Sequence, residues 1–468
     1  MTNLPHFRLT NWFFKTLFSA LFALLITSNG YASAFNNTHE YTLSNGLKLI
    51  VKEDHRAPIF VSQLWYGIGS SHETTGMTGV SHVLEHMMFK GTTKTKAGEF
   101  AELISRYGGT HNAFTTRDHT GYYQLMPNDR LELILELEAD RMQNLRIDEE
   151  QFQRELKVVM EERRQRTDDR PTSLAYEHFT AVAFAGSGYS HPVIGWMKDI
   201  EGLTAKQAMD WYKLWYAPNN AVLVIVGDLD PKQVYAQVQR HFGSIPRIEF
   251  PQNKPITGLG YRSGQRRIEM KLKTRLPHLF LGFRAPNVIT AEHPWEPYAL
   301  ELLVGVLDGG FSARIEKELV RGTEVASSAG AGYNLHSRGD SLITISGTPN
   351  LQKGFTLDDL ENALIAQLDR FKTEPVSELE LARVRTQLIA AQVFSQDSIS
   401  AQASRIGKIE SLGRSWRSLE NDTAQLQAVT TEQIQQVAQK YLTSDALTAL
   451  RLLPIKTATT QPLSHSSL

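Results

Sequence analysis

The run His82-Val83-Leu84-Glu85-His86 has the clearest chemical capacity in this sequence. It lies in a helical pattern from about Thr78 to Phe89 that stops at Gly91. Residues four apart on a helix share a face, so the two imidazoles are neighbours able to grip one ion. Glu85, three residues after His82, borders that face. Val80, Val83, Leu84, Met87 and Met88 form a separate apolar stripe suited to a core. Catalytic zinc commonly takes three protein ligands and keeps a fourth position for water. The metal brings the pKa of that water toward about 7. A carboxylate placed like Glu85 can then act as general base and pass the proton to a leaving amine. A helical histidine is often only a satisfied polar residue, so this string needs a third ligand and a setting.

The elements that must position it follow from local signals. Asn45-Gly46 marks a hairpin, after which Leu47, Leu49 and Val51 alternate, and Phe60 to Tyr66 supplies another apolar strand. Helices are expected at about 97–107, 129–144 and 148–166. The last opens on Asp148 with Gln151 three residues on, a capping-box pattern, and Pro171 lies beyond its end. A Thr-initiated helix at Thr204 leads through Trp215–Asn220 into the apolar strand Ala221–Val226. Near the C-terminus, Thr430 or Thr431 opens a helix that leads through Lys440–Asp445 into Ala446–Leu453. Such recurrence predicts a duplication with an α+β unit in each half. Residues 246–265, rich in Pro and Gly, read as a linker. The expected division is a signal peptide (1–34), a zinc-binding domain (35–245), the linker, a homologous domain (266–455) and a loose tail (456–468).

At 468 residues, 41% of them hydrophobic, the chain is long enough for two to four domains with real cores. Lys plus Arg (49) balances Asp plus Glu (50), which argues against nucleic acid as the main partner. There is no cysteine, so disulfides, thiolate zinc sites and thiol catalysis are excluded. Residues 1–34 carry Arg8 and Lys15, no acid, an apolar run from Leu17 to Ile26, and Ala32-Ser33-Ala34. This is the pattern of a secretory signal, and the run is too short to span about 30 Å of hydrocarbon as an anchor. Export to the periplasm is expected, with secretion as the other destination.

Several further segments, in order and spacing, resemble the pitrilysin/insulinase family of inverted-motif zinc metallopeptidases. The similarity is to its short two-unit members of the mitochondrial processing peptidase β-subunit type. The segments are Asn45-Gly46-Leu47, Gly67-Ile68-Gly69-Ser70, His82 through Gly91, Gly108 through Thr115, Arg154 through Glu162, and Tyr216-Ala217-Pro218-Asn219-Asn220. The resemblance implies two homologous α/β-sandwich-like halves in an α+β fold, each a mainly antiparallel sheet packed with helices. It implies one zinc per chain held by His82, His86 and Glu162, with Glu155 behind a ligand. Glu161 is the rival ligand, but it points about 100° away on the helix. Asn112-Ala113-Phe114 matches the edge strand that receives substrate as an added strand. His111 and His119 are expected to be ordinary strand or loop residues.

The second half fits less well. Leu307 through Arg314 resembles the family's Gly-rich turn and Ser-rich helix start, and Arg321-Gly322 the arginine of its substrate clamp, but Val325 stands four residues after Arg321 where a tyrosine is expected. This implies a homologous partner without the zinc motif that supplies an Arg–Tyr pair, or a homodimer. The expected activity is cleavage of peptides or unfolded segments. A catalytically weak or inactive assembly subunit is the alternative, and a structural zinc protein is disfavoured by the adjacent base.

Overall fold

The structure, a computed structural model, describes residues 36–251 and 264–455. The expected signal segment and tail, and most of the linker, lie outside the described residues. Strands β1 (Thr38–Thr42), β2 (Lys48–Glu53), β3 (Ile59–Tyr66), β4 (Thr110–Thr115), β5 (Thr120–Pro127) and β6 (Ala221–Gly227) form one sheet in the order β1-β2-β6-β3-β5-β4. Strands β7 (Arg266–Leu272), β8 (His278–Ala285), β9 (Ala326–Gly332), β10 (Ser341–Pro349) and β11 (Leu447–Pro454) form a second, in the order β7-β11-β8-β10-β9. Each sheet is antiparallel except for one parallel pair, β2 with β6 and β7 with β11. The second order repeats the first, with β7, β11, β8, β10 and β9 in the places of β2, β6, β3, β5 and β4. The Thr204 and Thr430 helices thus feed equivalent central strands, which explains the recurrence in the sequence. The chain has the two-half α+β fold.

Gly46 adopts φ +92° in the β1–β2 turn, a conformation that favours glycine, so the Asn-Gly signal is used as such. The expected helices form at Val80–Met87, Glu99–Arg106, Leu131–Asn144 and Glu149–Arg163. The last continues as a wider π-helical turn, Arg164–Asp168.

Both faces of the central strands are buried, which is why β6 reads as an unbroken apolar run. Leu223 and Ile225 pack with the helices of their own half, beside Val83 and Leu84. Val222, Val224 and Val226 face the other way, where the helix Ile399–Ser411 covers them with Ala403, Ile406 and Ile409. That helix belongs to the second half of the chain. In return, the helix Pro171–Ala183 places Phe179 on the second sheet, stacked on Phe280 at 5.6 Å. Each half therefore covers one face of the other's sheet, and a cavity is left between them.

Candidate metal centre

The helix Val80–Met87 buries Val80, Val83, Leu84 and Met87, and this fixes which way its polar face points. Glu73 anchors its start. This buried carboxylate accepts the N–H of Gly79 at 2.7 Å and of Ser81 at 2.8 Å, and burial pushes its pKa up to about 7. A carboxylate at a helix N-terminus is stabilised by the free N–H groups and the dipole there. The helix Glu149–Arg163 crosses behind, capped by Asp148, whose side chain accepts from Gln151 N–H.

These two helices bring three donor atoms together. Glu162 Oε2 lies 3.5 Å from His86 Nε2 and 3.8 Å from His82 Nε2, and all three atoms fall within 4.8 Å of one another. Ligands at about 2.0–2.1 Å around a tetrahedral ion are separated by about 3.3 Å, so the cluster needs little closure to hold zinc. The protonation states of His82 and Glu162 suit a ligand set, whereas His86 ligates only once a metal displaces its second proton. Burial, with the neighbouring His86, lowers the pKa of His82 to about 4, leaving it neutral. The hydrogen bond from His86, above all, holds Glu162 below the ordinary carboxylate range. Burial would depress His86, but Glu162 and its neighbours outweigh it and raise that imidazole. Two nitrogens and one carboxylate oxygen, open on one side, fit zinc.

The remaining predicted residues fall as follows. Glu155 Oε2 sits 3.5 Å from His86 Nδ1, and its other oxygen takes Lys90 Nζ at 2.7 Å, so it braces the far side of the ring. Glu161 points to solvent with Arg164 at 3.3 Å. Glu85 borders the cluster, accepting from Thr115 Oγ1 at 2.6 Å; burial raises its pKa and this bond opposes the rise. A cavity of about 910 Å3 opens from the cluster. Asn112, Ala113 and Phe114 line it on β4, the outermost strand of the first sheet, while Tyr176 and Phe280 form the opposite wall. The Ala113 N–H is taken by the Asn112 side chain at 2.8 Å. His111 packs between the rings of Phe89 and Phe100, and His119 is buried against Trp65, both away from the cluster. Arg321 is not brought to this cavity within the chain; its guanidinium lies over the Phe311 ring at 3.5 Å. Val325 is 4% exposed and belongs to the second core, so a tyrosine there would not face substrate.

Sequence reasoning passed over Glu73, Thr115 as a partner of Glu85, and Arg166, which holds Glu162 Oε1 at 2.5 Å. Only Arg166 carries a local signal, its i,i+4 spacing from Glu162. In the second half, the helix Glu296–Leu307 follows β8 as the motif helix follows β3. It carries no histidine.

Duplicated halves around a cavity, with the His82, His86 and Glu162 donors on the wall that the first half supplies, are the architecture of a two-half peptidase. The family model described as insulinase (peptidase family M16) matches residues 48–195, and that described as the peptidase M16 inactive domain matches residues 202–388. The zinc protease PqqE of Helicobacter pylori is 31% identical over 397 residues, covering 82% of this chain and 87% of that one. The uncharacterized zinc protease YmxG of Bacillus subtilis is 27% identical, covering 88% and 97%. A crystal structure of a protease from Helicobacter pylori superposes with a TM-score of 0.83 at 28% identity, covering 89% of this chain and 99% of that one. The chain belongs to the insulinase (M16) family of peptidases. Relatives named as zinc proteases set it, at the level of the family, among the zinc metallopeptidases. Among the described residues no helix is long and apolar enough to cross a membrane.

Proposed function

We propose that the chain is a zinc-dependent endopeptidase cutting peptides or unfolded protein segments, one zinc being held by His82, His86 and Glu162. The observation that carries this is the convergence of those three donors beside Glu85, on the wall of a cavity whose rim is the free edge of β4. Zinc, when bound, supplies Lewis-acid polarisation of the scissile carbonyl and acidifies a water. Glu85 takes a proton from water in the cavity and returns it to the departing amine. Glu155 fixes the tautomer and orientation of His86. An extended substrate adds to β4 along Asn112–Phe114, displacing the Asn112 side chain from the Ala113 N–H. Backbone recognition of this kind admits many sequences but demands an unfolded segment.

Arg321 bears on this reading only through a second chain. With Arg321 against Phe311 and Val325 in the core, a clamp on substrate has to come from a homologous partner, or from a second copy. The proposed segments 35–245 and 266–455 are supported by the one sheet that each holds. Export rests on residues 1–34. The test is metal analysis with peptide cleavage, on the chain alone and with a candidate partner. About one zinc per chain and chelator-sensitive cleavage are expected; undiminished cleavage by fully metal-free protein would sink the reading.

A further inference from the structure

Beyond Thr115 the zinc cavity runs on into a second hollow of about 560 Å3 between the two halves. Thr115, Arg117, Tyr176 and Val193 line both spaces, so a peptide seated on β4 can reach from one into the other. We propose that this second hollow binds a carboxylate of the substrate, with Arg117 and Lys408 as its charge partners. This rests on the first cavity being the peptide site, and it adds a substrate preference that backbone recognition alone does not provide.

The charges of the walls carry the argument. Two aspartates line the hollow, and both are already answered. Asp340 meets Arg284 at 3.3 Å. Asp118 accepts from the Tyr189 hydroxyl at 2.7 Å and from the Arg338 backbone N–H at 3.1 Å, with the Arg338 guanidinium 3.7 Å away. Burial keeps the two lining imidazoles, His119 and His336, neutral.

The two cations are not answered in this way. Arg117 engages Ser71 only through its backbone carbonyl. Its guanidinium has the Phe184 ring at 5.8 Å, and its Nε is buried without a hydrogen-bond partner. Lys408 Nζ reaches a neutral amide oxygen, that of Asn334, at 3.3 Å. Burial lowers the pKa of this ammonium against the pull of Asp118 and Glu301. Glu301 is itself pushed up to about 7 by burial, so it is a weak counter-charge. A half-buried cation without a paired anion loses part of its hydration uncompensated, and a ligand carboxylate offsets that loss through charge-assisted hydrogen bonds. Arg117 is two residues past Thr115, about 7 Å along an extended chain. A carboxylate within about three residues of the scissile bond is therefore in reach.

The test is a set of quenched fluorescent peptides carrying Glu or its isostere Gln at each of three positions on either side of the bond cut. At one position the Glu peptide should have a kcat/KM about tenfold above its Gln twin, the worth of one hydrogen-bonded charge. That ratio should shrink as salt is raised. It should fall toward one in Arg117→Gln and in Lys408→Gln, survive in part in Arg117→Lys, and invert in favour of Lys peptides in Arg117→Glu. Amidated copies tell a side-chain carboxylate from a C-terminal one, since only the latter loses its advantage on amidation. A ratio near one at every position, or one unchanged in Arg117→Gln, overturns the proposal. Should no peptide be cut, the same pairs are bound to zinc-loaded Glu85→Gln protein and followed by anisotropy. A Glu preference there upholds the carboxylate site while the peptidase reading fails, and equal binding rejects the site.

Discussion

Replacing Thr115 with valine keeps the shape of the side chain and removes one hydroxyl. That hydroxyl donates to Glu85 Oε2 at 2.6 Å in a site where burial pushes the Glu85 pKa upward. A hydrogen bond to a charged group contributes about 1.5–3 kcal/mol, which corresponds to about one to two pKa units. The bond favours the ionised carboxylate, so its loss raises the Glu85 pKa by that amount. In the proposed mechanism Glu85 works as the ionised base. The rising acid limb of kcat/KM should therefore move about one to two pH units higher in Thr115→Val. Below the limb the rate should fall about 10- to 100-fold, and on the plateau at higher pH the deficit should shrink, because the base is ionised again. The assay is a pH profile on a fluorogenic peptide, with zinc content measured on the same samples. Thr115→Ser, which keeps the hydroxyl, should hold the limb near its original position. A folded, zinc-loaded Thr115→Val protein whose limb does not move would refute the assignment of Thr115 as the partner of the base.

Glu85→Gln should retain its zinc and lose about 10^2- to 10^4-fold in turnover, read by metal analysis and peptide cleavage; near-normal turnover would remove Glu85 from the role of base. Glu162→Ala should lose the metal outright. Glu155→Gln should keep it with an affinity about 10- to 100-fold weaker in a chelator competition, and an unchanged affinity would mean that Glu155 does not brace His86. At Gly407, on the helix Ile399–Ser411, an added Cβ would come within 2.1 Å of Trp65 Nε1. Gly407→Ala should cost about 1–3 kcal/mol of stability and lower the thermal midpoint, and an unshifted midpoint would show that the helix does not rest on Trp65.

The motif helix was legible because its apolar stripe has the helical period, and burial of that stripe alone orients His82, Glu85 and His86. The duplication was foreshadowed by the two Thr-capped helices that lead into β6 and β11. Contacts between distant segments left weaker traces. Glu73 caps the motif helix from a preceding loop, and no sequence period links it to Ser81. The crossing of Ile399–Ser411 onto the first sheet was hinted at only by the unbroken apolar run of β6, which needs cover on both faces but does not say from where. The offset from Arg321 to Val325 does not by itself place either side chain, for a local reason. The chain enters Arg321 from a π-helical turn, Ile315–Val320, so counting residues along it does not tell which side faces the cavity.

The exchange of covering helices has a consequence for the order of assembly. The bond from Gln63 Nε2 to Ser404 Oγ joins residues 341 apart, and Ile406 seals the same face of the first sheet. During synthesis the first half leaves the ribosome with Ile50, Val61, Trp65, Val222, Val224 and Val226 facing water. It keeps that wet apolar surface until nearly the whole chain has been made. Contacts of such long sequence separation close slowly, and an uncovered sheet face meanwhile invites association with other chains. A fragment ending at residue 245 should therefore aggregate rather than form a stable half, and adding a separate 266–455 fragment during refolding should rescue its solubility. The two halves are duplicates in topology, yet each is a folding partner of the other, so the protein is born as a single cooperative unit.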